Sequence, residues 1–172
     1  EDAIVTNGAG NYTAFVHRYF AYKRFRTCLA PGSGSMGYGV PAAIAGALAA
    51  PGRRAIAFAG DGCFLMTGQE LATAAQLGLP VTVIVADNGM YGTIRMHQER
   101  RYPGRISATG LANPDFTLLA RSYGAHAEVV ARTADFPAAL ERCLDIAGPS
   151  LIHLKVDPAA IAPGQTLVAS AK

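Results

Sequence analysis

Two residues in this chain have the types and spacing to do chemistry together. Asp61 stands between glycines in Gly60-Asp61-Gly62, directly after the apolar run Ala55-Ile56-Ala57-Phe58-Ala59. Asn88 opens Asn88-Gly89-Met90, one residue after Asp87 and the run Val81-Thr82-Val83-Ile84-Val85. A carboxylate and an amide oxygen brought together suit a hard, oxygen-seeking cation such as Mg²⁺, and such a cation can hold a phosphate. Taken singly, each is an ordinary turn residue, because Asp-Gly and Asn-Gly are common turns. The pairing depends on the elements between them. Apolar β-branched runs followed by polar turns read as buried strands of a parallel sheet. Residues 68–77 between them read as a helix, closed by Gly78 and the strand-opening Pro80. A strand–helix–strand unit with a right-handed crossover puts both triplets at the C-terminal edge of neighbouring strands. Open α/β sheets bind their ligands at that edge.

The remaining elements fit the same frame. Short strands are expected at 3–6, 27–30, 126–130 and 151–156, and helices at 11–22, 40–50, 115–123 and 135–147. Pro41 falls in the first turn of its helix, where a missing N–H costs nothing. Residues 91–102 are polar, charged and aromatic and begin as an exposed helix. Residues 103–114, rich in Gly, Ser, Thr and Asn, read as a mobile loop, and the stretch after Pro158 has little to fix it. The expected architecture is a three-layer α/β/α domain over residues 1–157, with a mainly parallel sheet of about six strands and a tail at 158–172.

The text GDGCFLMTGQELATAAQLGLPVTVIVADNGMYG, with Asn88 following the GDG triplet after residues 63–87, closely resembles the thiamine diphosphate motif of the pyruvate-oxidase, acetolactate-synthase and decarboxylase superfamily. It is most similar to the acetolactate-synthase-like branch, and the resemblance covers nearly the whole chain. It implies a thiamine diphosphate-binding fold and the cofactors thiamine diphosphate and Mg²⁺. The implied metal ligands are the Asp61 carboxylate, the Asn88 side-chain oxygen and the backbone carbonyl of Met90. Asn11 and Tyr12 align with a polar pair that reaches the diphosphate, against the plainer reading of an N-cap and a packed aromatic, which is a fair one for Tyr12. Gly60, Gly62 and Cys63 would surround the diphosphate through backbone groups, with Tyr91 and Gly92 closing the motif. The neighbours Phe64, Leu65 and Met66 offer Cys63 no base, which argues against a nucleophile.

The glycine run Gly32-Ser33-Gly34-Ser35-Met36-Gly37 supports two readings. It fits GxGxxG between a strand and a helix, the dinucleotide fingerprint, with Asp61 as the acid closing the next strand. That would make the chain an NAD-binding Rossmann domain of a dehydrogenase, but it leaves Asn88 without a role. In the resemblance, the Gly34 carbonyl accepts from the aminopyrimidine amino group. Ser35 lies beside the cofactor, and Met36 wedges it into a bent form. Core filling is the usual fate of a methionine.

Composition bounds the rest. At 172 residues, 51% hydrophobic and 16% charged, the chain can bury one substantial core. The net charge of +3 is too mild and scattered for a nucleic-acid footprint, and no apolar run is long enough to span a membrane. Cys28, Cys63 and Cys143 have no metal-ligand or disulfide spacing, which points to a reducing, cytoplasmic setting. Lys23, Arg24, Arg26 and Glu99 to Arg101 read as surface charge. His17, His126 and His153 receive no role, and His97 stands where plant and fungal acetolactate synthases carry a tryptophan. The chain starts Glu1-Asp2 almost at a strand, so a piece of a longer enzyme is expected. The resemblance implies a 2-keto acid substrate, with decarboxylase or carboligase chemistry. It also implies a pyrimidine-binding domain, from the same or a second subunit, that brings the activating glutamate. No catalytic residue is therefore expected in this chain, which by itself should be inactive and tend to self-associate as a dimer or larger.

Overall fold

A computed structural model describes residues 2–167. Six strands make one sheet: β1 (Ile4–Asn7), β2 (Cys28–Leu29), β3 (Ala55–Gly60), β4 (Val81–Asp87), β5 (His126–Val130) and β6 (Ser150–Lys155). Every neighbouring pair is parallel, in the order β2-β1-β3-β4-β6-β5. The expected α/β/α sandwich on a parallel sheet is what forms.

Side chains alternate between the two faces, as the pleat requires. Ala55, Ala57 and Ala59 join Val81, Val83, Val85 and Leu151 in the larger core cluster, under α2 (Gly39–Ala49) and α6 (Phe116–Ser122). Phe64 and Leu71, from the segments that follow β3, complete it. Ile84 and Ile152 point the other way and pack with Ala139 and Cys143 of α7 (Phe136–Asp145). α2 is built of small residues because it lies close to the sheet: a Cβ on Gly46 would sit 3.2 Å from the Ile4 side chain. On the second face, Ile56 and Phe58 stay only partly buried.

The order of the strands creates the site. From β1 the chain passes outward through α1 (Tyr12–Tyr19) to β2, then returns across β1 to β3. The loops after β1 and β3 therefore diverge at adjacent strand ends, the crevice where open sheets take ligands. β3 and β4 pair from Ala55↔Val81 to Gly60↔Ala86, which puts Asp61 and Asn88 beyond equivalent ends of neighbouring strands, as expected.

Four local expectations need correction. The helix expected at 68–77 is split and starts earlier. α3 (Asp61–Thr67) begins at Asp61 itself and leads through one 3-10 turn at 68–70 to α4 (Leu71–Gln76). Gly60 can cap such a helix in extended conformation, which periodicity alone does not reveal. α1 stops at Tyr19 rather than 22, where Phe20 turns extended. The stretch after Pro158 is not loose: β7 (Ala160–Ala162) and β8 (Gln165–Thr166) form an antiparallel hairpin with Ile161 buried. Arg100 of α5 (Gly92–Arg101) donates to Gln165 on it. Residues 168–172 of the expected tail lie outside the described residues. Finally, part of the loop at 103–114 is pinned. Tyr91 N–H donates to the Thr109 carbonyl (2.9 Å) and Leu111 N–H to the Gly89 carbonyl (2.8 Å), laying 109–111 antiparallel along 89–91.

Candidate functional site

Asp61 is buried, 3% exposed, at the first turn of α3. Its Oδ1 accepts from its neighbour Gly62 N–H (2.9 Å), and its Oδ2 accepts from Gly89 N–H (2.9 Å). The second contact ties the loop after β3 directly to the loop after β4. Gly89 has φ +70°, a left-handed conformation that glycine adopts readily, and this turn aims its N–H back at Asp61. Asn88 Oδ1 accepts from Met90 N–H at 3.2 Å, a local Asx-type turn. The two strap hydrogen bonds use the Gly89 and Thr109 carbonyls, so neither uses that of Met90.

A second acid lies behind this loop. Asp87 Oδ1 accepts from Gly89 N–H (3.0 Å) and Asn113 Nδ2 (2.7 Å), while Oδ2 accepts from His153 Nε2 (2.7 Å) and Lys155 Nζ (2.6 Å). Asn113 uses the same Nδ2 to donate to Asp61 Oδ2 at 2.8 Å. Burial alone would raise the pKa of Asp87, but the bonds from Lys155, His153 and Asn113 outweigh it and hold the acid well below the usual carboxylate range. Asp61 moves the other way. Burial pushes it up, bonds from Asn113 and Gly62 pull it down, and the neighbouring Asp87 carboxylate adds to the rise. Two acids a few ångströms apart are thus driven in opposite directions. Asp61 is the one whose hydrogen-bond donors are all uncharged.

The other predicted residues divide. Asn11 Oδ1 accepts from Thr93 Oγ1 (2.8 Å), joining the loop after β1 to α5. Tyr12 has its hydroxyl engaged: it accepts from Gly8 N–H (3.1 Å) and donates to Cys63 Sγ (3.6 Å), and burial raises its pKa. Its ring fills the space beside Gly10 and Gly60. Cys63 is buried and its thiol donates to the Ala9 carbonyl (3.0 Å), a packed side chain with no base beside it. A Cβ on Gly62 would lie 2.5 Å from Tyr91 Cε1, and one on Gly92 2.9 Å from Asn88 Nδ2, so Gly62 lets Tyr91 close on α3 and Gly92 leaves room for the Asn88 side chain. Met36 borders the same cavity as Asn11, Tyr12, Asp61 and Asn88, whereas Gly34 and Ser35 stand on an exposed turn outside it. That cavity, about 560 Å³, runs from the polar strand ends down past Phe58 and Ile84.

A profile of the family described as "Thiamine pyrophosphate enzyme, C-terminal TPP binding domain" matches residues 8–154. The chain belongs to this family. Among curated relatives, the acetolactate synthase isozyme 2 large subunit of Escherichia coli is 34% identical over 158 residues, 91% of this chain and 29% of that one. The acetolactate synthase large subunit of Corynebacterium glutamicum is 37% identical over 84% of this chain and 24% of its own length. This thiamine diphosphate domain therefore spans less than a third of those relatives. Among solved structures, the thiamine diphosphate-dependent 4-hydroxybenzoylformate decarboxylase of Rhodococcus jostii superposes with a TM-score of 0.85 at 30% identity, covering 91% of this chain and 30% of that one. The benzoylformate decarboxylase of Polynucleobacter necessarius, at 22% identity and TM-score 0.85, shares the fold.

The thiamine diphosphate domain also disposes of the dinucleotide reading on geometry. The glycine run follows β2, but β1 lies between β2 and β3, so Asp61 does not close the neighbouring strand as the fingerprint needs. Its carboxylate is turned instead toward Gly89 and Asn113. The donors offered by Asp61, Asn88 and Met90 would suit a hard cation: a buried carboxylate oxygen, an amide oxygen and a backbone carbonyl, with no soft ligand among them. Away from this site, His126, Glu128 and Cys143 bring ligand atoms within 4.8 Å of one another. Arg142 already pairs with both Glu128 oxygens, so that cluster is an ion pair in which a cation would meet a guanidinium.

Sequence reasoning missed Asp87, Asn113, His153 and Lys155 as partners in the site. Asp87 was visible beside Asn88, and His153 and Lys155 alternate on β6 opposite β4. Asn113 carried no signal, because it reaches the site from a loop with no periodicity.

Proposed function

We propose that this chain is the cofactor domain of a thiamine diphosphate- and Mg²⁺-dependent enzyme that cleaves or joins C–C bonds of 2-keto acids. The observation that carries it is the joining of two strand-end loops at one carboxylate, Asp61 Oδ2 to Gly89 N–H at 2.9 Å. This ties Asp61 to the loop that carries Asn88 and Met90, and we assign the Asp61 carboxylate, the Asn88 side-chain oxygen and the Met90 carbonyl as the three protein ligands of Mg²⁺. The bound cofactor supplies an electron sink for the carbanion formed when a 2-keto acid loses CO₂. This chain's residues bind and orient. The cation ligands hold the diphosphate end, and Met36, on the cavity wall with Asn11 and Tyr12, supports the ring. The activating glutamate we assign to a pyrimidine-binding domain of the same or a second subunit, in a cytoplasmic homo-oligomer. The acetolactate synthase relatives support this reading, and the decarboxylase neighbour supports the same chemistry with a different outcome.

Calorimetric titration of thiamine diphosphate tests it, with Mg²⁺, with EDTA, and beside NAD⁺. Binding with Mg²⁺ that is lost in EDTA and in Asp61→Ala is expected. Metal-independent binding, or preferential binding of NAD⁺, would overturn it.

A further inference from the structure

Among the described residues, Asn113 is the one side chain that donates to both acids. Its Nδ2 gives one N–H to Asp61 Oδ2 (2.8 Å) and one to Asp87 Oδ1 (2.7 Å), using both amide hydrogens on two carboxylates. Gly89 N–H is shared between the same two oxygens, at 2.9 and 3.0 Å. These contacts saturate Asp61 Oδ2, because a carboxylate oxygen has two lone pairs and this one meets two donors. Among the described residues, Asp61 Oδ1 accepts only from Gly62 N–H, and keeps a lone pair open. The orientation of the amide is forced, since its other end is an acceptor that would repel both carboxylates. As a result Asn113 Oδ1 is buried with no partner, an unfavourable feature of the kind that marks a group held for another purpose.

We infer that Asn113 is a positioning residue of the cation site, one that locks Asp61 as a monodentate ligand through Oδ1. The inference rests on the assignment of Asp61 as a metal ligand made above. The lock is itself held from behind. Asp87 is fixed by His153 and Lys155 on β6, so Asn113 hangs between a fixed carboxylate and the ligand it orients. Cation selectivity follows from this arrangement. Mg²⁺ demands near-ideal octahedral geometry with short bonds, whereas Ca²⁺ accepts bidentate carboxylates at longer and more variable distances. A carboxylate with one oxygen occupied by N–H groups serves the first and refuses the second. Asn113 therefore sets the preference for Mg²⁺ over Ca²⁺ without touching the ion.

The test is thiamine diphosphate affinity measured by calorimetry in Mg²⁺ and, separately, in Ca²⁺, for the unaltered protein, Asn113→Ala, Asn113→Asp and Asp61→Ala. Releasing the lock should weaken affinity in Mg²⁺ by about tenfold or more, as outer-shell partners of metal ligands do, while leaving affinity in Ca²⁺ within about threefold. Asn113→Asp keeps the shape and, when ionised, removes both donations while adding a negative charge that acts on both cations alike, so it must lower the Mg²⁺ to Ca²⁺ preference as well. A parallel fall in both metals, or no fall in either, would refute the positioning role, because a merely structural defect does not discriminate between ions. Failure of the underlying assignment looks different: Asp61→Ala would then keep Mg²⁺-dependent binding, or the unaltered protein would show none.

Discussion

Replacing Asp87 by asparagine should cost this fold about 2–4 kcal/mol, and the figure can be worked from its contacts. The carboxylate accepts from four donors: Gly89 N–H, Asn113 Nδ2, His153 Nε2 and Lys155 Nζ. An asparagine side chain offers one acceptor oxygen and turns an NH₂ group toward the other two donors. Each hydrogen bond to a charged group contributes about 1.5–3 kcal/mol. Lys155, half exposed at 50%, can turn to water, whereas the His153 side chain, 5% exposed, cannot. One lost bond is thus partly replaced and the other is not, which gives the range above. For a chain of this size that is a fall in Tm of roughly 5–15 °C, at about 2–4 °C per kcal/mol. The pH dependence sharpens the test. The pKa of Asp87 is lower in the folded protein than in the unfolded chain, so between the two values only the unfolded state takes up the proton. Its contribution is complete above about pH 5 and is lost as pH falls toward the folded value. The gap between the unaltered protein and Asp87→Asn should therefore be widest near neutrality and narrow toward pH 2. Urea unfolding followed by circular dichroism at a series of pH values measures it. A difference below about 0.5 kcal/mol at pH 7, or one that does not shrink in acid, would refute this account of the network.

Further predictions address the core, the loop closure and the cysteines. Gly62→Ala puts a methyl 2.5 Å from the Tyr91 ring, and should destabilise the protein by about 1–3 kcal/mol in thermal unfolding although alanine favours a helix. Phe64→Ala removes a fully buried ring that meets Phe116 edge-on with ring centroids 5.5 Å apart, and should cost about 3–5 kcal/mol by urea titration. Cys28 is exposed, while Cys63 and Cys143 are buried and burial pushes the Cys143 thiol up to about 11. A thiol reagent at pH 8 should therefore label one cysteine in the native state and three only after denaturation, read by mass spectrometry.

The sequence by itself determined the sheet and its chemical edge. Apolar runs of strand length ending in Gly-Asp-Gly and Asp-Asn-Gly carry their own signal, because burial on both faces demands continuous apolar residues and the turns demand glycine. Asp61 and Asn88 could be placed at one edge on that basis, whereas Met90 was named only through the family resemblance. The tertiary structure decided what surrounds them. Helix α3 starts at Asp61 because Gly60 is extended and caps it, a backbone fact that hydrophobic periodicity does not encode. The hairpin at Ala160–Ala162 and Gln165–Thr166 exists because Ile161 finds a buried place, which depends on neighbours distant in sequence. Asn113 and His153 were silent for the same reason. A lone amide in a loop and a lone histidine in a strand acquire a role only when folding brings Asn113 within 3 Å of Asp61 and Asp87, and His153 within 3 Å of Asp87. Local pattern reports which residues must be buried, and only the packed chain fixes which polar groups must then find one another.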